Sequence, residues 1–157
     1  MTRGAGTGEE AARKVSEMFP ADLDEVLEIE EASFRVPWSR ESFLFELQAN
    51  PYARNFVMRC EGRMVAFSCV WIVDDELKIN NIAVHPGERR QRHGEALLLW
   101  VLDYGRSREC AEATLEVRLS NVEARALYEA QGFVEIGRRK GYYRDTHEDA
   151  ILMAAEL

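Results

Sequence analysis

The chain has 157 residues, 46% of them hydrophobic and 31% charged, with a formal net charge of -8; it is long enough to bury a real core and too short for two comfortable domains. An acidic balance of this kind argues against general nucleic-acid binding, which needs a basic face, and no apolar run approaches the roughly 18 residues of a membrane span. Three cysteines (Cys60, Cys69, Cys110) without CxxC spacing and three scattered histidines form neither a disulfide framework nor a zinc site, so no metal is expected and the thiols are read as free and buried or half-buried.

The N-terminal MTRGAGTGEEAARK lacks the apolar stretch of a secretory signal. Residues 1–13 read as a disordered tail, residues 14–157 as a single domain, and the location as cytoplasmic. Lys14 to Met18 reads as a short strand. In PADLDEVLEIEEASF, Leu23, Val26, Leu27 and Ile29 share one side of a helix that Pro20 introduces. In VPWSRESFLFELQAN, Pro37 breaks the chain, Ser39 can cap, and Phe43, Leu44 and Leu47 line a second short helix.

ARNFVMRC and RMVAFSCVWIV, separated by Glu61-Gly62, read as a hairpin. ELKINNIAV continues the sheet. Its apolar residues sit on odd numbers at Leu77 and Ile79 and on even ones at Ile82 and Val84, which predicts a β-bulge at Asn80-Asn81. EALLLWVLDYGRSR is helical, with Leu97, Leu98, Val101 and Leu102 on one face and Arg106 and Arg108 near its C-terminal end. ATLEVRLS alternates as a strand. SNVEARALYEAQGF starts with Ser120 as the cap of a Ser120-x-x-Glu123 box and stops at Gly132. FVEIGRRKGYYR and EDAILMAAEL are the last two strands, joined by a turn around Asp145 to His147. This order predicts a mixed α/β sheet covered by helices.

The segment HPGERRQRHGEA gathers Arg89, Arg90 and Arg92 around Gln91, just before His93, Gly94 and Glu95. A strand, an Arg-rich loop and a helix entrance make an anion site, because orphan amide groups and the positive end of the helix dipole point the same way. Arginine adds charge-assisted bonds to phosphate oxygens. The plainer alternative is a solvated basic loop paired with Glu88 and Glu95. His93 reads as loop surface.

Two further residues stand out. Glu116 lies mid-strand, where a sheet covered on both sides carries apolar side chains. Tyr128 shares a helix face with Asn121 and Ala124. Taken alone, Glu116 can be an exposed strand residue paired with Arg118 or a neighbour, and Tyr128 a packed aromatic.

HPGERRQRHGEALL resembles the acyl-CoA pyrophosphate loop of the GNAT N-acetyltransferase superfamily: Arg or Gln, two residues, Gly, one residue, then Gly or Ala. Arg89 takes the first position and Gly94 the last, while Arg92 stands where the first Gly is expected, a place that needs φ > 0 or close backbone approach. Together with FRVPWSRESF, NNIAVHP, LEVRLSNVEARALYEAQGF, RRKGYY and EDAILM, the chain from about Val15 to Leu157 is similar to the RimI branch, the ribosomal-protein-alanine N-acetyltransferases.

The resemblance implies a GNAT-like, mostly antiparallel sheet of about six to seven strands flanked by about four helices, with a bulged central strand. It implies an acetyl-CoA-dependent enzyme, without a metal, that acetylates the α-amine of a protein, a ribosomal protein with N-terminal alanine. Neither membrane nor direct nucleic-acid contact is expected, and the chain is read as a monomer or weak dimer. By the same resemblance Glu116 is the base, directly or through water, and Tyr128 the acid. Ile82, Ala83, Val84, Arg89, Arg90, Gln91, Arg92, His93, Gly94, Glu95 and Asn121 contact the cofactor, and Phe34, Pro37, Trp38, Tyr142 and Tyr143 wall the acceptor groove. An α-amine with a reference pKa of about 7.7–8.0 needs only a modest base, whereas lysine near about 10.4 is far harder to deprotonate. The alternatives are a GNAT enzyme acting on lysine or a small amine, and a non-catalytic acyl-CoA-binding module.

Overall fold

The computed structural model describes residues 13–157; residues 1–12 of the expected tail lie outside the described residues. Strand β1, Arg13–Glu17, starts one residue earlier than expected, so Arg13 belongs to the sheet and not to a tail. Among the described residues, seven strands form one sheet in the order β1-β2-β3-β4-β5-β7-β6, and four helices are interleaved with them. The chain divides into two compact units, one holding residues to Cys69 with Asn81–Leu98, the other Val70–Asn80 with Leu99–Leu157. No helix among the described residues is long and apolar enough to cross a membrane.

In the first unit, a 3-10 turn at Pro20–Asp22 leads into α1, Leu23–Ser33, and the Phe19 amide donates to Asp22 Oδ2 at 2.8 Å. Leu23, Val26 and Ile29 are buried on one face, as the spacing requires. Glu30 is buried beside them. Helix α2, Arg40–Gln48, is capped by Ser39, whose hydroxyl accepts from the Ser42 amide at 3.2 Å. Strands β2, Ala53–Cys60, and β3, Arg63–Val73, are joined through Glu61 (φ 54) and Gly62 (φ 82), the left-handed pair of a tight hairpin turn. Met18, Leu23, Val26, Ile29, Phe43, Val57, Phe67 and Ala83 form one core cluster, with Phe34 and Trp38 packed against it.

Strand β4, Glu76–Val84, departs from the apolar pattern. The expected bulge rested on a shift from odd to even numbers, yet Leu77, Ile79, Asn81 and Ala83 keep the buried side on odd numbers throughout. Asn81 is a polar residue in a buried place, satisfied by Glu30 Oε1 at 2.7 Å, and that substitution disguises the alternation. What changes at this point is pairing. Parallel pairing with β5, Glu112–Arg118, runs from Glu76↔Glu112 to Ile79↔Leu115, which leaves Glu116 the next residue along β5.

In the second unit, β5 pairs antiparallel with β7, Glu148–Glu156, which also pairs with β6, Val134–Tyr143. Leu115, Val117, Ile151 and Met153 are buried there. Helix α3, His93–Ser107, carries Gly105 where a Cβ would lie 3.0 Å from Leu77 Cδ2 and 3.1 Å from Leu157 Cδ1, so the glycine permits close packing.

Helix α4, Val122–Ala130, corrects the expected cap: Asn121, not Ser120, holds the N-cap position, and its Oδ1 accepts from the Ala124 amide at 3.2 Å. Ser120 instead donates its amide to Glu148 Oε2 at 3.0 Å. Both side-chain types cap well, and the side chain one residue closer to the helix takes the bond. Gly132, at φ 93, ends the helix as expected.

Candidate active site

The Arg-rich loop lies in the first unit, between a 3-10 turn at Pro86–Glu88 and the start of α3. Arg90 and Arg92 both take the left-handed conformation, at φ 66 and φ 63. Arg92 therefore occupies the backbone geometry for which a glycine is expected, at a strain of about 1–3 kcal/mol for a residue with a Cβ. Both side chains are exposed. The first intrahelical bond, Ala96 N to Arg92 O at 3.0 Å, comes after the amides of His93, Gly94 and Glu95, which form the first turn.

Internal contacts hold this loop. Arg89 Nε donates to Val84 O at 3.3 Å and its Nη2 to Ser33 Oγ at 3.2 Å, so Arg89 works as a brace. His93 is buried, 4% exposed, which corrects its reading as loop surface. Its Nδ1 accepts from Arg13 Nε at 3.0 Å and its Nε2 lies 3.9 Å from Glu88 Oε1. Arg13 Nη2 also donates to Gln91 O at 2.7 Å. Glu88 pairs with Arg63 at 3.5 Å, so the acid closest to the loop in sequence is engaged with groups other than Arg90 and Arg92.

Of the strand residues expected at the cofactor, Ala83 is buried in the core cluster and Val84 gives its carbonyl to Arg89. Ile82 is half-buried. Phe34 and Trp38 are half-buried while Pro37 is exposed. Trp38 packs on Phe43 with ring centroids 5.2 Å apart, and its amide donates to Glu30 Oε2 at 2.9 Å. Glu30 thus joins helix α1, strand β4 and the segment of Trp38 through both carboxylate oxygens. Sequence reasoning missed it because it sits among apolar residues on an otherwise amphipathic helix. Burial raises its carboxyl above the ordinary 4.5, against the lowering effect of the bonds from Trp38 and Asn81.

In the second unit, Glu116 lies between two cations, Lys78 Nζ at 3.6 Å and Arg139 Nη2 at 3.8 Å. Its side chain is 17% exposed, neither a free surface acid nor a core residue. Arg118 is not its partner: that guanidinium binds Asp145 and Glu148, each at 3.1 Å, and stacks 4.0 Å from the Tyr143 ring. Glu148 is pushed down to about 2 by its bonds from Ser120, with Arg118 and Thr146 adding to them.

Tyr128 is buried on α4 with its ring 5.8 Å from Phe133. Burial, with Tyr143 adding to it, pushes its hydroxyl up to about 12. Such a phenol keeps its proton at neutral pH, which is what a proton donor needs. Tyr142 and Tyr143 meet edge to face at 5.2 Å, and Arg139 lies 5.6 Å over Tyr142. The geometry of the second unit therefore gathers a carboxylate under two cations, a protonated phenol and an aromatic pair around β5, α4 and the β6–β7 hairpin.

Residues 23–133 match the acetyltransferase (GNAT) family. The [ribosomal protein bS18]-alanine N-acetyltransferase of Escherichia coli strain K12 is 41% identical over 145 residues, covering 91% of this chain and 97% of that protein. The crystal structure of the ribosomal-protein-S18-alanine N-acetyltransferase from Escherichia coli has a TM-score of 0.85 to this chain at 38% identity, covering 92% of this chain and 93% of that one. A crystal structure of Ard1 from Thermoplasma volcanium reaches the same TM-score of 0.85 at 27% identity, covering 93% and 98%.

Proposed function

The chain belongs to the acetyltransferase (GNAT) family, and on that premise we propose that it acetylates the N-terminal α-amine of a protein, the alanine of ribosomal protein bS18, with acetyl-CoA as donor. The single observation that carries the reading is the loop: Arg90 and Arg92 hold the left-handed geometry of a phosphate loop and lead into the first turn of α3. Two exposed guanidinium groups beside the amides of His93, Gly94 and Glu95 fit a pyrophosphate, since charge and directed donors coincide. Arg89, Gln91 and the backbone of Ile82, Ala83 and Val84 support this segment, and the side-chain amide of Asn121 offers a further donor. No metal enters this reading.

Acetyl-CoA, when bound, supplies an acetyl group activated as a thioester. Glu116 Oε1 or Oε2 takes the proton of the acceptor amine, directly or through water, and Lys78 and Arg139 hold the carboxylate in place. Tyr128 Oη, kept protonated by its burial, holds the proton for the leaving group. To the acceptor peptide we assign Phe34, Pro37, Trp38, Tyr142 and Tyr143, and the acidic balance of the chain suits a basic acceptor. Residues 13–157 act as one acetyltransferase domain in the cytoplasm, as a monomer or weak dimer.

A thiol-release assay with acetyl-CoA and peptides of the bS18 N-terminus tests the proposal. Free N-terminal alanine peptides are expected to turn over, while the same peptides with a blocked α-amine are not. Turnover restricted to internal lysine or small amines replaces the acceptor, and CoA binding without turnover on any amine reduces the chain to a binding module.

A further inference from the structure

Arg13 and His93 stand 80 residues apart in the sequence and meet in the first unit. Arg13 lies on β1, paired with Cys60, and its guanidinium makes two bonds: Nε to His93 Nδ1 at 3.0 Å and Nη2 to Gln91 O at 2.7 Å. Gln91 is the residue between Arg90 and Arg92, both left-handed. The one carbonyl flanked by two strained residues is therefore tied to the sheet. His93 is buried with its second nitrogen 3.9 Å from Glu88, and Glu88 is in turn paired with Arg63 on β3.

A loop that carries two non-glycine left-handed residues relaxes unless its surroundings over-determine it. Arg13 supplies that constraint from outside, where a glycine would have supplied the conformation from within. Nδ1 of His93 accepts a bond from an arginine, so the ring presents a lone pair there and its proton sits on Nε2, toward Glu88.

We infer that Arg13 is a positioning residue for the acyl-CoA loop: through Gln91 O and His93 Nδ1 it holds Arg90 and Arg92 in the geometry that meets the pyrophosphate. This deepens, and rests on, the reading of that loop as the acyl-CoA site. Arg13 itself does not touch the ligand. Its loss acts on cofactor affinity and leaves the chemistry of Glu116 and Tyr128 alone.

The test is CoA titration of the full chain by calorimetry, together with steady-state kinetics in acetyl-CoA and in peptide. Arg13→Ala should weaken CoA binding about tenfold, the size expected for a charge-assisted bond that orders a loop. The acetyl-CoA KM should rise in step, with kcat at saturation and the peptide KM unchanged. Arg13→Lys, which keeps the charge but cannot hold both acceptors in a fork, should fall in between. Combined with His93→Leu, Arg13→Ala should cost less than the sum of the two single changes, because both remove one contact. An Arg13→Ala protein with wild-type CoA affinity overturns the inference, as does a loss spread equally over kcat and both KM values with a lowered Tm, which marks a general folding defect. A wild-type chain that binds no CoA overturns the acetyl-CoA reading itself and this inference with it.

Discussion

Asn81 Nδ2 donates to Glu30 Oε1 at 2.7 Å inside the first unit, 51 residues apart in sequence, and both residues are almost fully buried. The other oxygen of Glu30 accepts from the Trp38 amide at 2.9 Å. A buried carboxylate of this kind is sustained by its two donors, and the donors in turn depend on it.

Glu30→Leu removes the acceptor and leaves Asn81 and the Trp38 amide unsatisfied. Each buried donor without a partner costs about 1–3 kcal/mol, so a loss of about 3 kcal/mol in urea unfolding is expected, which the added leucine packing only partly offsets. Glu30→Gln gives the pH dependence. Burial raises the folded carboxyl above 4.5; below 4.5 both states are protonated, and above it the unfolded chain releases a proton that the folded chain retains. The contribution is thus present below pH 4.5 and lost as pH rises through the folded value. Wild-type stability minus that of Glu30→Gln should fall across this window and then level off. A difference that climbs with pH contradicts it.

The opposite sign holds for Glu148. Ser120, Arg118 and Thr146 bring its pKa from 4.5 to about 2, so its contribution is present above pH 4.5 and lost as pH falls toward 2. Thermal melts between pH 5 and pH 2 should show a shallower acid decline in Glu148→Gln than in wild type. Equal slopes would mean that the Arg118 cluster on β5 does not depend on this carboxylate.

These polar nodes mark where the sequence stops being readable. The hairpin of β2 and β3 is legible because two runs of β-branched and aromatic residues flank Glu61-Gly62, and the helix faces are legible from Leu23, Val26 and Ile29 or from Leu97, Leu98, Val101 and Leu102. The facing of β4 is not, since Asn81 fills a buried position and makes the apolar residues seem to change sides. The buried His93 is bonded by Arg13, a contact with no local signature. Glu116 and Tyr128 carry little pattern of their own and are visible only within the longer stretch LEVRLSNVEARALYEAQGF, while the partners of Glu116, Lys78 and Arg139, come from other strands.

Arg92→Gly separates conformation from charge. At φ 63 a glycine adopts the loop geometry without the penalty of a Cβ, and a gain of about 1 kcal/mol is expected once glycine's greater unfolded-state entropy is counted. The same change removes one exposed cation from the loop, so CoA binding should weaken at low salt and depend less on ionic strength than in wild type. Urea midpoints and CoA titrations at two salt concentrations check both halves. Stability lower than wild type would show that the Arg92 side chain contributes contacts that outweigh its strain.

Glu116 and Tyr128 differ in how they should respond to removal. On the proposed role of Glu116 as acceptor of the amine proton, Glu116→Gln keeps the shape and kcat should fall by about 10²–10⁴, least at high pH where more of the α-amine is already neutral. Tyr128→Phe should fall by a similar factor at every pH, because a hydroxyl pushed up to about 12 remains protonated throughout the assay range. Its stability moves as well. The unfolded phenol ionises near 10 and the folded one near 12, so the Tyr128 contribution is complete below pH 10 and lost as pH rises toward 12. Wild type should therefore lose more stability than Tyr128→Phe over that alkaline interval. If instead Tyr128→Phe keeps full kcat with an unchanged alkaline melt, Tyr128 is a packed aromatic beside Phe133, and the proton for the leaving group comes from water.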